Sequence, residues 1–246
     1  MTQSVIYPLG RTEACAHASK VLSLQGVPIA HVPGGDVTHL LLDVPSFRPD
    51  PHPDLSDVLT ALPRNITVIG GNLNHSLLDN HAKTDLLQDE DYIAQNAAIT
   101  AHCALTVAVP LLKTTLADTP TIILGWGRIG KCLARLLKGL GCPVSVAARQ
   151  ERDRSMLRAM GYPAYHPAAV PLEKFRLLFN TVPAPVLCAA QLNGFPKLVK
   201  IELASTAGLS GEDIHMARGL PGIIAPESSG TLIAQTVLRK MKEELL

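Results

Sequence analysis

The chain has 246 residues, with 22 basic and 21 acidic side chains, a formal net charge of +1 and no long run of one sign. This balance argues against a nucleic-acid interface, which needs a strongly basic face. The five cysteines form no Cys-x-x-Cys pair and the nine histidines have no metal-ligand spacing, so we expect neither disulfides nor a metal site. No secretory signal begins the chain and no apolar run approaches membrane-spanning length, which predicts a cytoplasmic protein without membrane contact.

The first half alternates short apolar runs with helical patterns, which predicts a small parallel sheet. Strands are predicted at 5–7, 28–32, 38–44 and 66–69, and helices at 12–25 and 54–62. Thr12 is expected to cap the first helix, and Gly26 is expected to end it. We therefore assign residues 1–92 to a substrate-side, flavodoxin-like α/β domain, onto which an amphipathic last helix, residues 227–246, packs back.

A long helical pattern over residues 89–112 leads into the second half, where strand-helix units recur. Strands are predicted at 121–125, 143–148, 175–180 and 197–204, and helices at 128–140, 151–160 and 211–218. This order predicts a second doubly wound parallel-sheet domain, Rossmann-like, over residues 93–226. The fold class is therefore α/β, with two such domains and an active-site cleft between them.

A Gly-x-Gly-x-x-Gly turn follows the first strand of this second domain and opens a helix. Gly125 permits the tight turn, Gly127 lets the backbone approach a pyrophosphate, and Gly130 lets the helix lie close to the strand. Between these glycines lie Arg128 and Ile129, whose backbone N–H groups at the helix start would face the anion. The motif therefore predicts a dinucleotide site.

The second strand of this domain lacks the acidic residue that usually binds the ribose 2′-hydroxyl of NAD. Arg149 stands there instead. A guanidinium suits the 2′-phosphate of NADP because it can form bidentate, charge-assisted hydrogen bonds. The sequence therefore favours NADP over NAD, with a solvated loop arginine as the alternative interpretation.

Polar residues follow the later strands of the same domain, where the ligand crevice of a parallel sheet lies. Asn180 and Thr181 are candidates for the nicotinamide ribose or a phosphate, and Ser205 is a candidate for the nicotinamide amide. Asn, Thr and Ser are also common turn and cap residues, so a structural role is the alternative at each position.

Candidate substrate ligands lie at the strand ends of the first domain and near the start of the last helix. Ser46, Asn72 and neighbouring backbone N–H groups are expected to hold a polar ligand, and Ser228 could receive a carboxylate at a helix N-terminus. On the long helix, Asn96 and Thr100 lie near one face, and His102 is a candidate acid or base close to it. A satisfied structural side chain is the alternative for each of them.

Several motifs together are more specific than the glycine turn. They are Tyr92-Ile-Ala-Gln-Asn96-Ala-Ala-Ile-Thr100, Leu124-Gly-Trp-Gly-Arg-Ile-Gly130, Val146-Ala-Ala-Arg149, Phe179-Asn-Thr-Val-Pro183, Glu202-Leu-Ala-Ser205 and Gly219-Leu-Pro-Gly-Ile-Ile-Ala-Pro226. Through them, well over half of the chain resembles the nicotinamide-dependent subunit of bacterial dipicolinate synthase. The first half is shorter than is usual in that family, and Thr100-Ala-His102-Cys103 stands where the family pattern resembles Thr-x-Glu-Gly.

The resemblance implies an oxidoreductase that converts a dihydrodipicolinate-type precursor into dipicolinate with NADP, or with NAD. It implies that the partner is the other, flavoprotein-like subunit of dipicolinate synthase, and that the substrate is a small dicarboxylate. The implied setting is the cytoplasm of the mother cell of a sporulating bacterium. The small residues of the long helix are compatible with a homodimer.

Two other functions stay open at this point. One is a 2-hydroxyacid-dehydrogenase-like oxidoreductase, although Thr206-Ala-Gly208 follows the strand where that chemistry needs a cation for the substrate carboxylate. The other is a non-catalytic, NADP-binding protein whose partner carries out the reaction.

Overall fold

The computed structural model describes residues 4–47 and 52–243. The chain divides into two compact units. The first unit comprises Met1–Asn96 and Pro221–Leu246, and the second comprises Ala97–Leu220. The boundary between residues 96 and 97 and the predicted boundary between residues 92 and 93 both lie within the same long helix.

The regular elements follow the alternating order expected from the sequence. The strands are β1 (Ile6–Pro8), β2 (His39–Leu41), β3 (Thr67–Gly70), β4 (Ala82–Asp85), β5 (Thr121–Leu124), β6 (Val144–Ala147), β7 (Ala164–Tyr165), β8 (Leu177–Asn180), β9 (Val199–Glu202) and β10 (Ile214–Met216). The helices are α1 (Glu13–Leu24), α2 (Leu55–Ala61), α3 (Glu90–Ala108), α4 (Arg128–Gly139), α5 (Glu151–Ala159), α6 (Ala189–Leu192), α7 (Leu220–Ile224) and α8 (Pro226–Glu243).

The first unit is built on a parallel sheet with strand order β1-β2-β3-β4. The predicted strand at 28–32 is wrong, because only Ile29 pairs, through a single parallel bridge to Ile6. Val32 is 70% exposed and Gly34-Gly35 follow it, so the segment leaves the sheet after one pair. The bridge lies on the side of β1 away from β2, which gives the strand reversal of a flavodoxin-like, doubly wound sheet.

The second unit has a six-stranded parallel sheet with strand order β10-β9-β8-β5-β6-β7. Renumbered within the unit, this is the doubly wound order of the Rossmann fold, with the reversal between β5 and β8. Every residue of β5, β6 and β8 is buried, as strands covered on both faces require. The predicted fold class, α/β with two doubly wound parallel sheets of which the second is Rossmann-like, is confirmed.

The sequence patterns missed three edge strands, β4, β7 and β10. The sequence of β4 is Ala-Lys-Thr-Asp, which has no apolar alternation. The predicted helix at 211–218 is wrong, because this segment contains β10. Gly211 has φ +148° and Asp213 has φ +54°, and neither value fits a right-handed helix. Edge strands are half solvated, so their residues are polar and carry little periodic signal.

The first and last helices of the first unit pack closely against each other, and Gly230 is the point of closest approach. A Cβ atom at residue 230 would lie 2.8 Å from the Cβ of His17 and 3.0 Å from the backbone N of Ala18. The Oγ1 of Thr231 lies 3.2 Å from the Nε2 of His17. Helix α8 is therefore an integral part of the unit that the start of the chain forms.

Residues 90–111, which comprise α3 and a following 3₁₀ turn, are long and apolar enough by length and composition to cross a membrane. The expectation that no apolar segment reaches this length was therefore too strong. Core helices of globular domains meet the same criterion, and Ala97, Ala101 and Ala104 of this helix are buried within the protein. The helix begins with Glu90 and Asp91, which suit the positive end of its dipole.

Asp89 ties the start of α3 to the end of α8. Its Oδ1 accepts hydrogen bonds from the Tyr92 backbone N at 2.8 Å and from Arg239 Nη2 at 2.7 Å. Its Oδ2 lies 3.1 Å from Lys240 Nζ, and the side chain is only 8% exposed. The hydrogen bond from Arg239 is the main cause that holds the pKa of Asp89 well below its usual range. The carboxylate is thus both a helix cap and the centre of a small ion network.

Replacing Asp89 by Asn should lower the free energy of unfolding at pH 7 by about 1–3 kcal/mol, because the amide can still cap α3 but cannot pair with two cations. A lowered pKa contributes stability above the pKa of an unfolded aspartate, about 3.9, and this contribution is lost as the pH falls towards the folded pKa. The difference from wild type, measured by urea unfolding, should therefore shrink below about pH 4.

Asp91→Asn is the matched control, because Asp91 is exposed on the same helix and its carboxylate accepts a hydrogen bond from Gln95, which an amide oxygen can also accept. We expect it to change stability by less than about 0.5 kcal/mol. Equal losses in the two variants, or a loss in Asp89→Asn that grows on acidification, would contradict the assigned role of Asp89.

Candidate dinucleotide-binding site

The glycine turn after β5 is shaped by contacts that leave no room for side chains. Gly125 has φ +105°, and a Cβ atom there would lie 2.5 Å from the Oγ1 of Thr181 and 2.8 Å from the Cγ2 of Val182. A Cβ atom at Gly130 would run into the carbonyl oxygen of Gly125. Both glycines are therefore required by the packing of the protein itself.

Gly127 differs from its two neighbours in the motif. It is exposed, and a Cβ atom there would meet no described atom within 4 Å. The folded protein therefore gives no steric reason for glycine at this position. A ligand explains the glycine instead, since this position of the motif lets a pyrophosphate approach the backbone.

The start of α4 has the geometry of an anion-binding helix N-terminus. Gly127 is the N-cap and offers no side-chain hydrogen bond, and the first turn contains no acidic residue. The backbone N of Lys131 donates to Gly127 O at 3.0 Å, so the N–H groups of the residues before it have no acceptor within the helix. Arg128 is exposed at the first helical position, and Ile129 is half-buried beside it. A helix start of this kind receives phosphate groups well.

In the first unit, by contrast, the protein's own carboxylates already occupy loop N–H groups at the strand ends. Asp43, after β2, accepts hydrogen bonds from the backbone N of Arg11 at 2.9 Å and of Thr12 at 3.0 Å. Asp85, at the end of β4, accepts one from the backbone N of Asn72 at 3.1 Å. The backbone N–H of Asn72, which was expected to be available to a substrate, is therefore already bound by the protein itself.

Glu202, at the end of β9, has the same role in the second unit and is fully buried. Its oxygens accept hydrogen bonds from the backbone N atoms of Ala204 at 2.9 Å, Gly208 at 2.8 Å and Leu209 at 3.0 Å. The Nδ2 of Asn180 lies 2.8 and 2.9 Å from the two oxygens. The carboxylate thus holds the loop after β9 in a tight curve. The sequence patterns did not reveal this role, and the only signal was an acidic residue at the end of an apolar run.

The expected contact between the Asn180 side chain and the cofactor is corrected by this arrangement. Asn180 is fully buried, and its Nδ2 donates to Glu202 and to Val182 O, while its Oδ1 accepts from Val182 N at 3.1 Å. Its side chain therefore shapes the loop. Thr181 lies against the glycine turn and donates to Leu124 O at 2.9 Å, and Ser205 is exposed on the loop that Glu202 holds. Cofactor contacts of these two residues stay predictions.

Arg149 is exposed two residues after β6. The guanidinium of nearby Arg154 is held by the loop itself, because its Nη1 donates to the carbonyl oxygens of Ala148 and Arg149 at 2.6 Å each. Arg154 also pairs with Glu151, whose pKa is lowered to about 2 by Arg158 and by Arg154. Within residues 4–47 and 52–243 the guanidinium of Arg149 has no ion-pair partner. Arg154 thus orders the loop after β6, whereas Arg149 is exposed to solvent.

The predicted substrate ligands of the first unit lie in different settings. The Ser46 hydroxyl donates to Asp43 O at 2.7 Å and accepts from Gly71 N at 3.1 Å, so it joins the loops after β2 and β3. Asn72 is exposed, with φ +57°. Ser228 is exposed in the first turn of α8. The structure therefore brings Ser46 and the Asn72 loop together, and their contact with a substrate stays a prediction.

The three candidates for catalysis on α3 do not share one environment. Asn96 is half-buried and Thr100, one helical turn later, is 8% exposed, so these two lie on one face as expected. His102 is exposed and lies on another side of the helix. The structure thus places Asn96 and Thr100 together and His102 apart from them, as the spacing predicted, and their roles in catalysis stay predictions.

The topology and the strand reversals define a dehydrogenase-type two-domain fold, with a Rossmann-like six-stranded unit and a flavodoxin-like unit. No family model matches the chain. One subunit of the dipicolinate synthase of Bacillus subtilis (strain 168) is 27% identical over 206 residues, which cover 77% of this chain and 69% of that protein. The resemblance that the motifs indicated is thereby confirmed.

Solved structures share the whole fold. The crystal structure of the corresponding dipicolinate synthase subunit from Bacillus halodurans matches with a TM-score of 0.81 and 22% identity over 97% of both chains. A transhydrogenase from Sinorhizobium meliloti matches with a TM-score of 0.74 and 12% identity, over 98% of this chain and 94% of that one. At these identities, the likeness shows the fold.

Replacing Glu202 by Gln should lower the free energy of unfolding by about 2–4 kcal/mol, because the new amide group would face N–H donors and leave them unsatisfied. Urea unfolding checks the loss. Glu212→Gln is the matched control, since Glu212 is exposed and should tolerate the change within about 0.5 kcal/mol. A Glu202→Gln protein as stable as the control would show that the buried carboxylate does not hold the loop.

Proposed function

We propose that this protein is an NADP-dependent oxidoreductase that oxidises a dihydrodipicolinate-type precursor to dipicolinate. The observation that carries the proposal is Gly127, a glycine that the folded protein does not need and that a bound pyrophosphate does. The sequence similarity to a dipicolinate synthase supports the choice of substrate.

The residues of the second unit fit a nicotinamide dinucleotide. The N–H groups at the start of α4, with Arg128 and Ile129 in its first turn, would face the pyrophosphate. The exposed guanidinium of Arg149 would pair with the 2′-phosphate of NADP. Thr181 and Ser205 would contact the ribose or the nicotinamide amide. When bound, the nicotinamide accepts a hydride.

The protein's own contribution is then orientation and exclusion of water rather than strong base chemistry. The reaction transfers a hydride from a ring carbon of the substrate to the nicotinamide and releases one proton, and aromatisation of the ring supplies driving force. Ser46, Asn72 and Ser228 are the proposed ligands of the dicarboxylate, and Asn96 and Thr100 are the proposed polar residues near the reacting ring. His102 is exposed, where it can at most exchange a proton with solvent.

We also propose that the chain works with a second protein, the flavoprotein-like subunit of dipicolinate synthase, in the cytoplasm of the mother cell of a sporulating bacterium. The similar Bacillus subtilis protein is named as one subunit of a synthase, which supports a complex of different chains.

The direct test is the formation of NADPH when this protein and its proposed partner are mixed with freshly prepared dihydrodipicolinate. We expect NADPH to form well above the uncatalysed rate, and Gly127→Ala to abolish most of it, because the added methyl group occupies the space that the pyrophosphate needs. Gly127→Ala should keep wild-type stability, since its Cβ atom meets open space. Tight NADP binding without turnover in the complex would instead identify a nucleotide-binding component, and turnover of simple 2-keto acids with NADH would identify a hydroxyacid dehydrogenase.

The role of Arg149 is tested by titrating NADP and NAD calorimetrically. Arg149→Asp should weaken NADP binding at least about 10-fold, the loss of roughly 1.4 kcal/mol expected when a charge-assisted contact to the 2′-phosphate is removed. NAD binding should be unchanged or stronger, because an acidic residue can accept from the ribose hydroxyls.

Arg176→Asp serves as the control. Arg176 is exposed just before β8 begins, at the end of the sheet opposite the glycine turn, so the same charge change there should leave both affinities unchanged. A wild-type protein without preference for NADP, or equal losses in both variants, would remove the proposed role of Arg149.

A further inference from the structure

A cavity of about 400 Å³ lies at the opposite end of the second sheet from the glycine turn. Pro120 and Pro143 lie at its wall, and each comes just before a strand, β5 and β6. The glycine turn follows the last residue of β5, so the whole length of this strand separates the two places, on the order of 13 Å for four residues. The cavity is therefore distinct from the proposed dinucleotide site, and the inference goes beyond the proposed function.

Ser145 lies in one wall of the cavity. Ser145 on β6 is 7% exposed and lines the cavity. It pairs in register with Ile122 of β5, so it lies on the sheet face on which Ile122 packs into the core. Within the described ranges 4–47 and 52–243, its hydroxyl makes no hydrogen bond. The hydroxyl is therefore available to a ligand that enters the cavity.

Three aromatic residues line the same cavity. Tyr165 and Phe175 both line the cavity and meet edge to face, with ring centroids 6.2 Å apart and planes 84° apart. Tyr162 lies at the same cavity, and burial raises the pKa of its hydroxyl, which keeps the ring neutral. Such an arrangement favours a flat apolar or aromatic body.

Two lysines also line the cavity, and they differ in their interactions with the rest of the protein. The Nζ of Lys138 donates to Met160 O at 2.8 Å and lies 4.4 Å from the centroid of the Tyr162 ring. Lys174 is exposed at the edge of the cavity, and among the described residues it has no ion-pair partner. No acidic residue lines the cavity among the described residues, so the field within it favours an anion.

We propose that this cavity is a second small-molecule site that binds a planar ring carboxylate. The ring lies against Tyr165 and Phe175, the carboxylate pairs with Lys174, and the Ser145 hydroxyl donates to the ligand. Two sources share this chemistry: an aromatic monocarboxylate, and pyridine-2,6-dicarboxylate, the product of the proposed reaction.

The test uses backbone amide NMR of the full-length protein titrated with benzoate and, separately, with pyridine-2,6-dicarboxylate. We expect saturable shifts at residues 145, 165 and 174 for at least one probe at concentrations below about 10 mM. Tighter binding of the dicarboxylate would assign the site to the product, and equal or tighter binding of benzoate would assign it to a monocarboxylate. No saturable shift at these residues with either probe would overturn the proposal.

Two variants separate a binding role from a structural one. Ser145→Ala should weaken binding several-fold while the protein keeps its stability, since the change removes a hydroxyl that makes no hydrogen bond to the described residues. Lys174→Glu should abolish most of the binding, whereas Lys197→Glu, at an exposed lysine that does not line the cavity, should leave it unchanged. Binding that survives both Ser145→Ala and Lys174→Glu would overturn the assignment.

Gly127→Ala separates this inference from the proposed function. It should abolish NADP binding and leave the shifts at residues 145, 165 and 174 intact, because it alters only the far end of the sheet. Loss of these shifts in Gly127→Ala would show that the probe binds at the dinucleotide site and would overturn a second site. Failure of the oxidation assay with the cavity shifts retained would refute the proposed reaction alone.

Discussion

The carboxyl ends of parallel strands gather backbone N–H groups that must find acceptors, and this requirement organises both units. Side-chain carboxylates meet it at several loops: Asp43 serves the loop after β1, Asp85 the loop after β3, and Glu202 the loop after β9. The start of α4 is different, because glycine caps it and its first turn holds no acidic side chain. The protein thus supplies internal anions at the loops that it holds rigid, whereas the first turn of α4 contains no acidic side chain. This contrast supports the proposed dinucleotide site more specifically than the glycine pattern alone.

The central strands could be predicted from the sequence because burial on both faces leaves continuous apolar runs, as in Ile122-Ile-Leu124 and Leu177-Leu-Phe179. The caps of α1 were equally predictable, since Thr12 accepts from the backbone N of Cys15 and Gly26 has φ +83°. Edge strands gave no such signal. Three polar or mixed residues are enough to pair with a strand that is already in place, so β10 follows from the exposed edge of β9 rather than from its own sequence.

The candidate site likewise contains residues that could be predicted from the sequence and residues that could not. Gly125 and Gly130 could be predicted from the sequence because a positive φ at the first and a close backbone approach at the second permit little else there. The pairing of Asn180 with Glu202 could not, because it depends on the parallel register that places these two residues side by side on β8 and β9. Local pattern identified Asn180 as polar and well placed. Only the neighbouring strand decides whether such an amide faces a ligand or a buried carboxylate.

The location of α8 has a consequence for the order in which the chain acquires structure during synthesis. The second unit is one uninterrupted stretch, residues 97–220, so all of its strands are translated before α8. The first unit is split, and Ala18 of α1 packs beside Gly230, a partner that is translated more than two hundred residues later. Until α8 is made, the face of α1 that packs against it stays uncovered. The last helix then completes the unit that the first residues began.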